Sequence, residues 1–191
     1  MKRKSGAETF HDGNTSAGFT VSDFWSWSTS DLVANTTRGV LAEYIVGRAL
    51  DVDLSAPRVE WGRVDLTMPD GTTVEVKSAA YLQAWHQKRL SRVTFGVHRL
   101  VGWNPDTGTQ DEESKRQADV YVFALLAHKD KATLDALELG QWKFYVAATS
   151  GLDSLLGTRK HISLSTVERI AAPARFHELK DVVKLKLRER A

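Results

Sequence analysis

The chain has 191 residues, of which 42% are hydrophobic and 26% are charged, values that are ordinary for a globular protein with one well-buried core. It contains no cysteine, which excludes disulfides, zinc–thiolate sites and iron–sulfur clusters. Its formal net charge of +2 is too small to identify a nucleic-acid-binding protein.

The N-terminal segment is predicted to be a flexible arm. Residues 1–20 are rich in Gly, Ser, Thr and Asn, and their basic start is not followed by the hydrophobic stretch that a secretory signal requires. No apolar run in the chain approaches the length of a membrane span. Together with the absence of cysteine, these features predict a cytoplasmic protein with no membrane segment.

The first half of the chain is predicted to form two helices and a β-hairpin. Ser22 is expected to cap the first helix, which would run to about Val33. The second helix is expected from about Thr36 to Leu50. The following residues alternate as strands do from Arg58 to Met68 and from Thr72 to Ser78, around the turn Pro69-Asp70-Gly71.

The second half is predicted to complete one α/β domain with a mixed central β-sheet flanked by helices. The continuous apolar run from Ala118 to Ala127 fits a strand buried on both faces. The tail is ambiguous, since Val183 to Arg188 alternates while Leu179, Val183 and Leu187 keep helical spacing. The other expected elements are a strand from Arg92 to Val97, a helix from Lys131 to Leu139, a strand from Trp142 to Ala148 and a helix near Ser165 to Ala171.

The turn of the hairpin predicts which side chains meet across it. Pro-Asp-Gly suits a three-residue connection in which a type I turn is followed by a glycine at positive φ. In that register Asp65 faces Glu75, and Asp65, Glu75 and Lys77 share one face. The opposite face is entirely apolar and comprises Val64, Leu66, Met68, Val74 and Val76. A two-residue turn would mix the two faces, so the pattern favours the first register.

Two carboxylates that face each other repel unless a cation lies between them. Mg²⁺ prefers oxygen ligands and keeps several waters, so Asp65, Glu75 and the backbone carbonyl of Val76 are candidate ligands. Lys77 would add positive charge beside a phosphate or a water held by the metal. This pattern predicts metal-assisted phosphodiester chemistry.

The arrangement Asp65, then Glu75-Val76-Lys77 after nine intervening residues, resembles the PD-(D/E)xK nuclease superfamily, which includes restriction endonucleases and Holliday-junction resolvases. Glu43, on the preceding helix, matches an additional acidic ligand that many members carry. The resemblance implies a restriction-endonuclease-like domain over residues 21–191, with a core at about 36–148 and a C-terminal helical extension at about 150–191. Val64 precedes Asp65 where the motif has proline, and Asp70 is rejected as a ligand because it lies at the hairpin tip.

The function that the resemblance implies is Mg²⁺-dependent hydrolysis of double-stranded DNA, with Mn²⁺ able to substitute. The catalytic residues would be Glu43, Asp65, Glu75 and Lys77, and restriction or defence, repair and recombination are all open as pathways. Many members act as dimers, because cutting two strands needs two active sites, so a homodimer is expected.

Several residues outside the hairpin are candidates for DNA contacts. The region between Glu75 and Asp106 has no acidic residue, and Gln83 is a candidate for orienting a water or a phosphate. Tyr81 and Trp85 are candidates for stacking on nucleotides, whereas Trp61, Trp103 and Trp142 are interpreted as core or interface residues. The basic candidates in this region are Lys88, Arg89, Arg92 and Arg99.

Other interpretations of the same residues stay open. The chain is alternatively a DNA-binding protein of the same fold that does not cut. Glu75 and Lys77 are alternatively exposed hairpin residues that pair with Arg63 and Asp65. Glu43 is alternatively an ordinary helix residue paired with Arg38 or Arg48.

Overall fold

A mixed four-stranded sheet forms the centre of the protein. A computed structural model describes residues 2–104 and 107–189, so both ends of the chain, including the start of the predicted arm and the last two residues of the predicted extension, lie outside the described residues. The strands are β3 (Leu66–Thr67), β4 (Thr73–Ala80), β8 (Val120–Leu126) and β9 (Trp142–Ala148), in that spatial order. Strands β4 and β8 are parallel, and the other two pairs are antiparallel. The predicted α/β domain with a mixed sheet is confirmed.

Strand β8 is the core of the sheet. All seven of its residues are buried, which confirms the interpretation of the apolar run as a strand covered on both faces. Val120, Val122, Ala124 and Leu126 face one hydrophobic cluster, and Tyr121, Phe123 and Leu125 face a second one. Strand β4, which pairs with β8, therefore also has a packed hydrophobic layer on each face at its C-terminal end.

Helices cover both faces of the sheet. Helices α2 (Asn35–Ala49) and α5 (Leu179–Arg188) bury their apolar residues in the first cluster. Helices α3 (Thr149–Leu156) and α4 (Leu164–Ile170) do the same in the second. The predicted helices at 36–50 and 165–171 are confirmed, and the ambiguous tail is a helix because Leu179 and Val183, one turn apart, are buried together.

Among the described residues, three short antiparallel pairs lie outside the central sheet. They are β1 (Thr9–Asp12) with β2 (Thr15–Thr20), β5 (Thr94–Gly96) with β10 (His161–Ser163), and β6 (Leu100–Asn104) with β7 (Thr109–Lys115). The first pair falls within the segment predicted to be a flexible arm, which therefore contains a hairpin. Of the strand predicted from Arg92 to Val97, only β5 is regular.

The first helix begins earlier than predicted. Helix α1 (Val21–Thr29) is capped by Thr20 rather than Ser22. The Thr20 hydroxyl accepts a hydrogen bond from the backbone N–H of Asp23, and the Asp23 carboxylate accepts one from the backbone N–H of Thr20. This reciprocal capping box satisfies two donors at the helix start, which explains why Thr20 takes the cap position.

Two other predicted elements are wrong in the structure. The strand expected from Arg58 to Met68 is reduced to the two residues of β3. The segment expected as a helix from Lys131 to Leu139 is a series of turns followed by a 3-10 turn, Leu139–Gln141. The carboxylates of Asp130 and Asp135 accept hydrogen bonds from the backbone N–H groups of Ala132 and Leu137, which is how short acidic side chains compete with a helix.

None of the helices among the described residues is long and apolar enough to cross a membrane.

Candidate active site

The hairpin has the register that the turn predicts. The backbone N–H of Gly71 donates to the carbonyl of Met68 at 2.9 Å, the N–H of Met68 donates to the carbonyl of Thr72 at 2.8 Å, and Gly71 has φ +86°. Leu66 pairs with Val74, which is the spacing expected for a three-residue connection. Asp70 lies exposed in the turn, where its carboxylate accepts a hydrogen bond from the backbone N–H of Thr72 at 3.0 Å.

Backbone pairing between the two strands of the hairpin stops at Leu66, the residue that follows Asp65. Asp65 and Glu75 are therefore not a backbone pair, although the simple register predicted one. Instead, the Oδ2 atom of Asp65 accepts a hydrogen bond of 2.7 Å from the backbone N–H of Val76. Because the N–H and C=O groups of one strand residue point to the same side, the carbonyl of Val76 is also directed towards Asp65. The carboxylate thus takes the place of a strand partner.

The two faces of the hairpin differ as predicted. Leu66, Met68, Val74 and Val76 are all buried in the first hydrophobic cluster, whereas Val64, the fifth residue predicted on that face, is only half-buried. Glu75 and Lys77 lie on the opposite face, where they are in register with Tyr121 and Phe123 of β8.

Those two residues on the polar face form an ion pair. The Nζ atom of Lys77 donates to Oε1 of Glu75, and both side chains are only partly exposed to solvent. The alternative in which Glu75 and Lys77 pair across the hairpin with Arg63 and Asp65 is not what the structure contains. Arg63 instead bonds to Asp111 and Gln117.

Asp65 is in an environment that disfavours its charged form. The pKa of the Asp65 carboxyl is raised to about 7, first by burial and then by the neighbouring carboxylates of Glu75 and Glu43, against the hydrogen bond from Val76 and the charge of Lys77. Burial also raises the pKa of the Tyr121 phenol, with a smaller contribution from Glu75. Negative charge is therefore concentrated at this end of the hairpin.

Glu43 is held by Arg58, which lies outside helix α2 and is neither of the predicted partners Arg38 and Arg48. The guanidinium of Arg58 makes two hydrogen bonds to the carboxylate of Glu43, one of them 2.8 Å from Nη2 to Oε1. Arg48 contacts the hydroxyl of Tyr44 instead. Arg38 is buried and bonds to other partners on its own helix and on β4, namely Asn35 and Ser78. Glu43 lies close enough to raise the pKa of Asp65, and its role as a metal ligand stays a prediction.

The donor set fits a cation held by two carboxylates. Within residues 2–104 and 107–189, no group of three or more His, Asp or Glu side chains is arranged to hold a metal ion. Glu75 nevertheless disfavours the ionisation of Asp65, and the Val76 carbonyl points to the side of β4 on which Asp65 lies. Mg²⁺ typically binds one or two carboxylates and retains waters, so this smaller set is chemically sufficient for it.

A cavity of about 640 Å³ opens beside the two carboxylates. Asp65 and Glu75 both line it. Its other walls come from the loop before β3 and from the β6–β7 hairpin, including Trp61 and Trp103. Sequence reasoning missed these two tryptophans as site residues, because neither a loop position such as Trp61 nor a strand distant in sequence such as that of Trp103 carries a local signal of where the ring packs. Trp142 is buried in the core, as interpreted.

Gln83 lies away from that cavity. Its side chain is buried, donates to the carbonyl of Ala80 at 3.0 Å, and accepts from Nη1 of Arg38 at 3.4 Å. It lines a second, smaller and more polar cavity with Trp85 and Arg92. Tyr81 is half-buried, with the ammonium of Lys129 over its ring at 4.7 Å.

The basic candidates for DNA contacts are exposed. Lys88, Arg89 and Arg92 lie in or beside the segment that leads from β4 to β5. Arg99 donates to the carboxylate of Asp153 at 3.0 Å. All four are open to solvent. Among the described residues, Arg99 is the only one of the four that forms an ion pair with a carboxylate.

The comparisons with known proteins give no family assignment. No family model matches the sequence, and no curated protein matches it significantly.

Proposed function

We propose that the protein is a Mg²⁺-dependent nuclease that hydrolyses phosphodiester bonds in DNA, with a restriction-endonuclease-like core. The observation that carries the proposal is the pair Asp65 and Glu75, two carboxylates that line one cavity, with Lys77 bonded to Glu75. Two acids and an amine at one strand end are the groups that metal-assisted phosphodiester hydrolysis uses.

Each residue has a role that follows from its position. Asp65, Glu75 and the carbonyl of Val76 would hold the ion, and Glu43 would join them if released from Arg58. The ion would supply positive charge that offsets the charge developing on the phosphate. Lys77 would donate a hydrogen bond to a phosphate oxygen, while water forms a bond to phosphorus and the bond from phosphorus to one sugar oxygen breaks. The proton lost by the water ends on that sugar oxygen or in solvent.

DNA is the proposed substrate because exposed cationic side chains follow the strand that carries Glu75 and Lys77. Lys88, Arg89, Arg92 and Arg99 are exposed on the segment that follows β4, and such side chains can neutralise backbone phosphates without reading sequence. Gln83 is buried beside this segment and would act by supporting it.

The test is the conversion of supercoiled plasmid to nicked and linear forms with Mg²⁺ or Mn²⁺. Asp65→Ala and Lys77→Ala should lose at least about a hundredfold in rate, the loss typical for one charge-stabilising group. Asp70→Ala and Lys143→Ala are matched controls, because both residues are exposed and Asp70 lies at the hairpin tip. Equal nicking in Lys77→Ala and wild type would refute the mechanism. DNA binding without any nicking would favour the non-catalytic DNA-binding alternative.

Cutting both strands of a duplex requires two active sites, so we propose that the active form is a homodimer. Light scattering coupled to size exclusion should give about twice the mass of the 191-residue chain. A monomer that linearises plasmid in a single binding event would contradict this part of the proposal.

A further inference from the structure

Two exposed aromatic rings lie in the cavity that contains the candidate carboxylates. Trp61 is 76% exposed and Trp103 is 39% exposed, and both line the same space as Asp65 and Glu75. Leu100 and Val101, on the same hairpin strand as Trp103, are also largely exposed. Large apolar side chains that stay open to solvent within one cavity mark a binding site more often than isolated surface residues do.

Hydrogen bonds and an ion pair connect strand β6, which carries Trp103, to the neighbouring segments that line the cavity. Arg63 donates from Nε to the side-chain oxygen of Gln117 at 3.0 Å and forms an ion pair with Asp111 of β7. The amide of Gln117 donates to the carbonyl of Leu100 at 2.8 Å. These contacts connect the loop after Trp61, the β6–β7 hairpin and the start of β8, so the two rings belong to one connected framework.

Gly102 makes this arrangement sterically feasible. A Cβ atom at that position would lie 2.5 Å from Oδ2 of Asp111 and 2.7 Å from Nε of Arg63. The ion pair therefore crosses β6 in the space that a side chain would occupy. The residue immediately before Trp103 is small because charged groups pass over it.

The chemistry of the cavity selects one class of ligand. The walls combine aromatic faces with the cationic groups of Arg63 and Lys115, which both pair with Asp111, and with the carboxylate of Glu60. The same cavity contains Asp65 and Glu75, the acids proposed to cut a phosphodiester. A volume of about 640 Å³ is typical of a site for a small molecule and is too small for a base-paired duplex. A flat π-system joined to a phosphate meets all of these conditions.

We propose that Trp61 and Trp103 form a stacking subsite for one unpaired nucleobase next to the phosphate that is cut. The substrate would then be single-stranded DNA, or duplex DNA at a point where a base has left the helix. This inference rests on the proposed function only in that the neighbouring phosphate is cleaved. The stacking subsite is a binding property and can be measured without cleavage.

The experiment measures the affinity of fluorescein-labelled oligonucleotides in EDTA, by fluorescence anisotropy at constant salt. The two probes are a twelve-nucleotide dT strand and a strand of the same length and charge whose sugars carry no bases. Stacking on an aromatic side chain should make the dT strand bind roughly tenfold more tightly or better. Trp61→Ala and Trp103→Ala should each remove most of that difference and leave the affinity for the baseless strand unchanged.

Conservative and remote variants complete the test. Trp61→Phe and Trp103→Phe keep a ring and should retain most of the preference, which separates stacking from a general effect on folding. Trp27→Ala is the matched control, because Trp27 is 84% exposed on α1 and does not line the cavity. Equal affinity of wild type for the two strands would overturn the inference, as would an equal loss in the Trp27→Ala control.

The two proposals fail in different ways. A preference for dT that depends on both tryptophans, in a protein that cuts neither plasmid nor single-stranded DNA with Mg²⁺ or Mn²⁺, would refute the nuclease and leave the base subsite standing. Nicking that depends on Asp65 and Lys77, together with no discrimination between the two strands, would refute the subsite alone.

Discussion

The Oδ2 atom of Asp65 lies 2.7 Å from the backbone nitrogen of Val76 and accepts its hydrogen bond. The side chain thereby replaces the strand partner that Val76 would otherwise have. The hydrogen bond from the backbone of β4 fixes the Asp65 carboxylate beside Val76, the residue that precedes Lys77. A charged group is thus held in a partly buried place beside Glu75, which is unfavourable without a counter-ion.

Replacing Asp65 with Asn should stabilise the protein at high pH. The pKa of Asp65 is raised from its ordinary value of 3.8 to about 7, so the folded state holds the proton more tightly than the unfolded state does. The wild type therefore loses stability as pH rises from about 4 to about 7, and the loss is complete above 7. The Asn variant escapes this loss, because an amide oxygen can still accept from Val76.

Thermal melts in metal-free buffer between pH 4 and pH 9 check that prediction. The Asn variant should melt higher than wild type at pH 8, by about 2–4 °C for each 1 kcal/mol in a domain of this size, and the two should converge near pH 4. Asp70→Asn should show no such gain, since hydrogen bonds from Thr72 lower the pKa of Asp70. A lower melting temperature for Asp65→Asn at pH 8 would show that the carboxylate is stabilising.

Divalent cations should raise the melting temperature of the wild type. A metal that binds only the folded state contributes about 2.7 kcal/mol when its concentration is a hundred times the dissociation constant. Protons compete for Asp65, so the shift with Mg²⁺ or Mn²⁺ should be larger at pH 8 than at pH 6. The measurement is differential scanning calorimetry with and without the metal.

The same metal titration has a clear negative control. Asp65→Ala should abolish the shift, and Asp70→Ala should retain it. A shift of equal size in Asp65→Ala would place any cation elsewhere on the protein.

Removing Arg58 should make the site bind metal more tightly. Arg58 neutralises Glu43 through two hydrogen bonds, and Glu43 already contributes to the raised pKa of Asp65. Arg58→Gln would leave three carboxylates near one another, which destabilises the metal-free protein and favours a cation. Calorimetric titration with Mn²⁺ should give a several-fold lower dissociation constant, whereas Arg58→Lys should stay near wild type. Weaker binding in Arg58→Gln would mean that the arginine positions Glu43 for the ion.

Two glycines should respond in opposite ways to alanine. At Gly102 the new Cβ atom would force Arg63 and Asp111 apart, and we expect a loss of about 1–3 kcal/mol in the free energy of unfolding. Gly39 lies in helix α2 with no heavy atom within 4 Å of an added Cβ, so Gly39→Ala should gain roughly 0.5–1 kcal/mol. Urea unfolding of both variants measures the difference. An unchanged Gly102→Ala protein would show that the ion pair contributes nothing to the position of the hairpin.

Local chemistry in the sequence was enough to predict the hairpin and its faces. Pro69-Asp70-Gly71 suits a three-residue turn, the separation of apolar and polar faces favours that register over a two-residue turn, and alternation then separates Val74 and Val76 from Glu75 and Lys77. The buried strand β8 and helix α2 were predictable for a similar reason, because their hydrophobic period is a property of consecutive residues. The predicted helix at 131–139 failed where acidic side chains captured backbone N–H groups, a competition that hydrophobic period does not report.

Only the tertiary structure decided what surrounds the two acids. Arg58 bonds to Glu43, and Arg63 bonds to Asp111, a residue 48 positions away, to fasten the hairpin that carries Trp103. No local pattern specifies such pairs, because the sequence offers each arginine many possible acidic partners. The packed backbone brings only one of these partners close enough to form an ion pair. The sequence by itself therefore determined the acids, the amine and their shared face, and the packing of distant segments decided the cavity and the aromatic rings beside them.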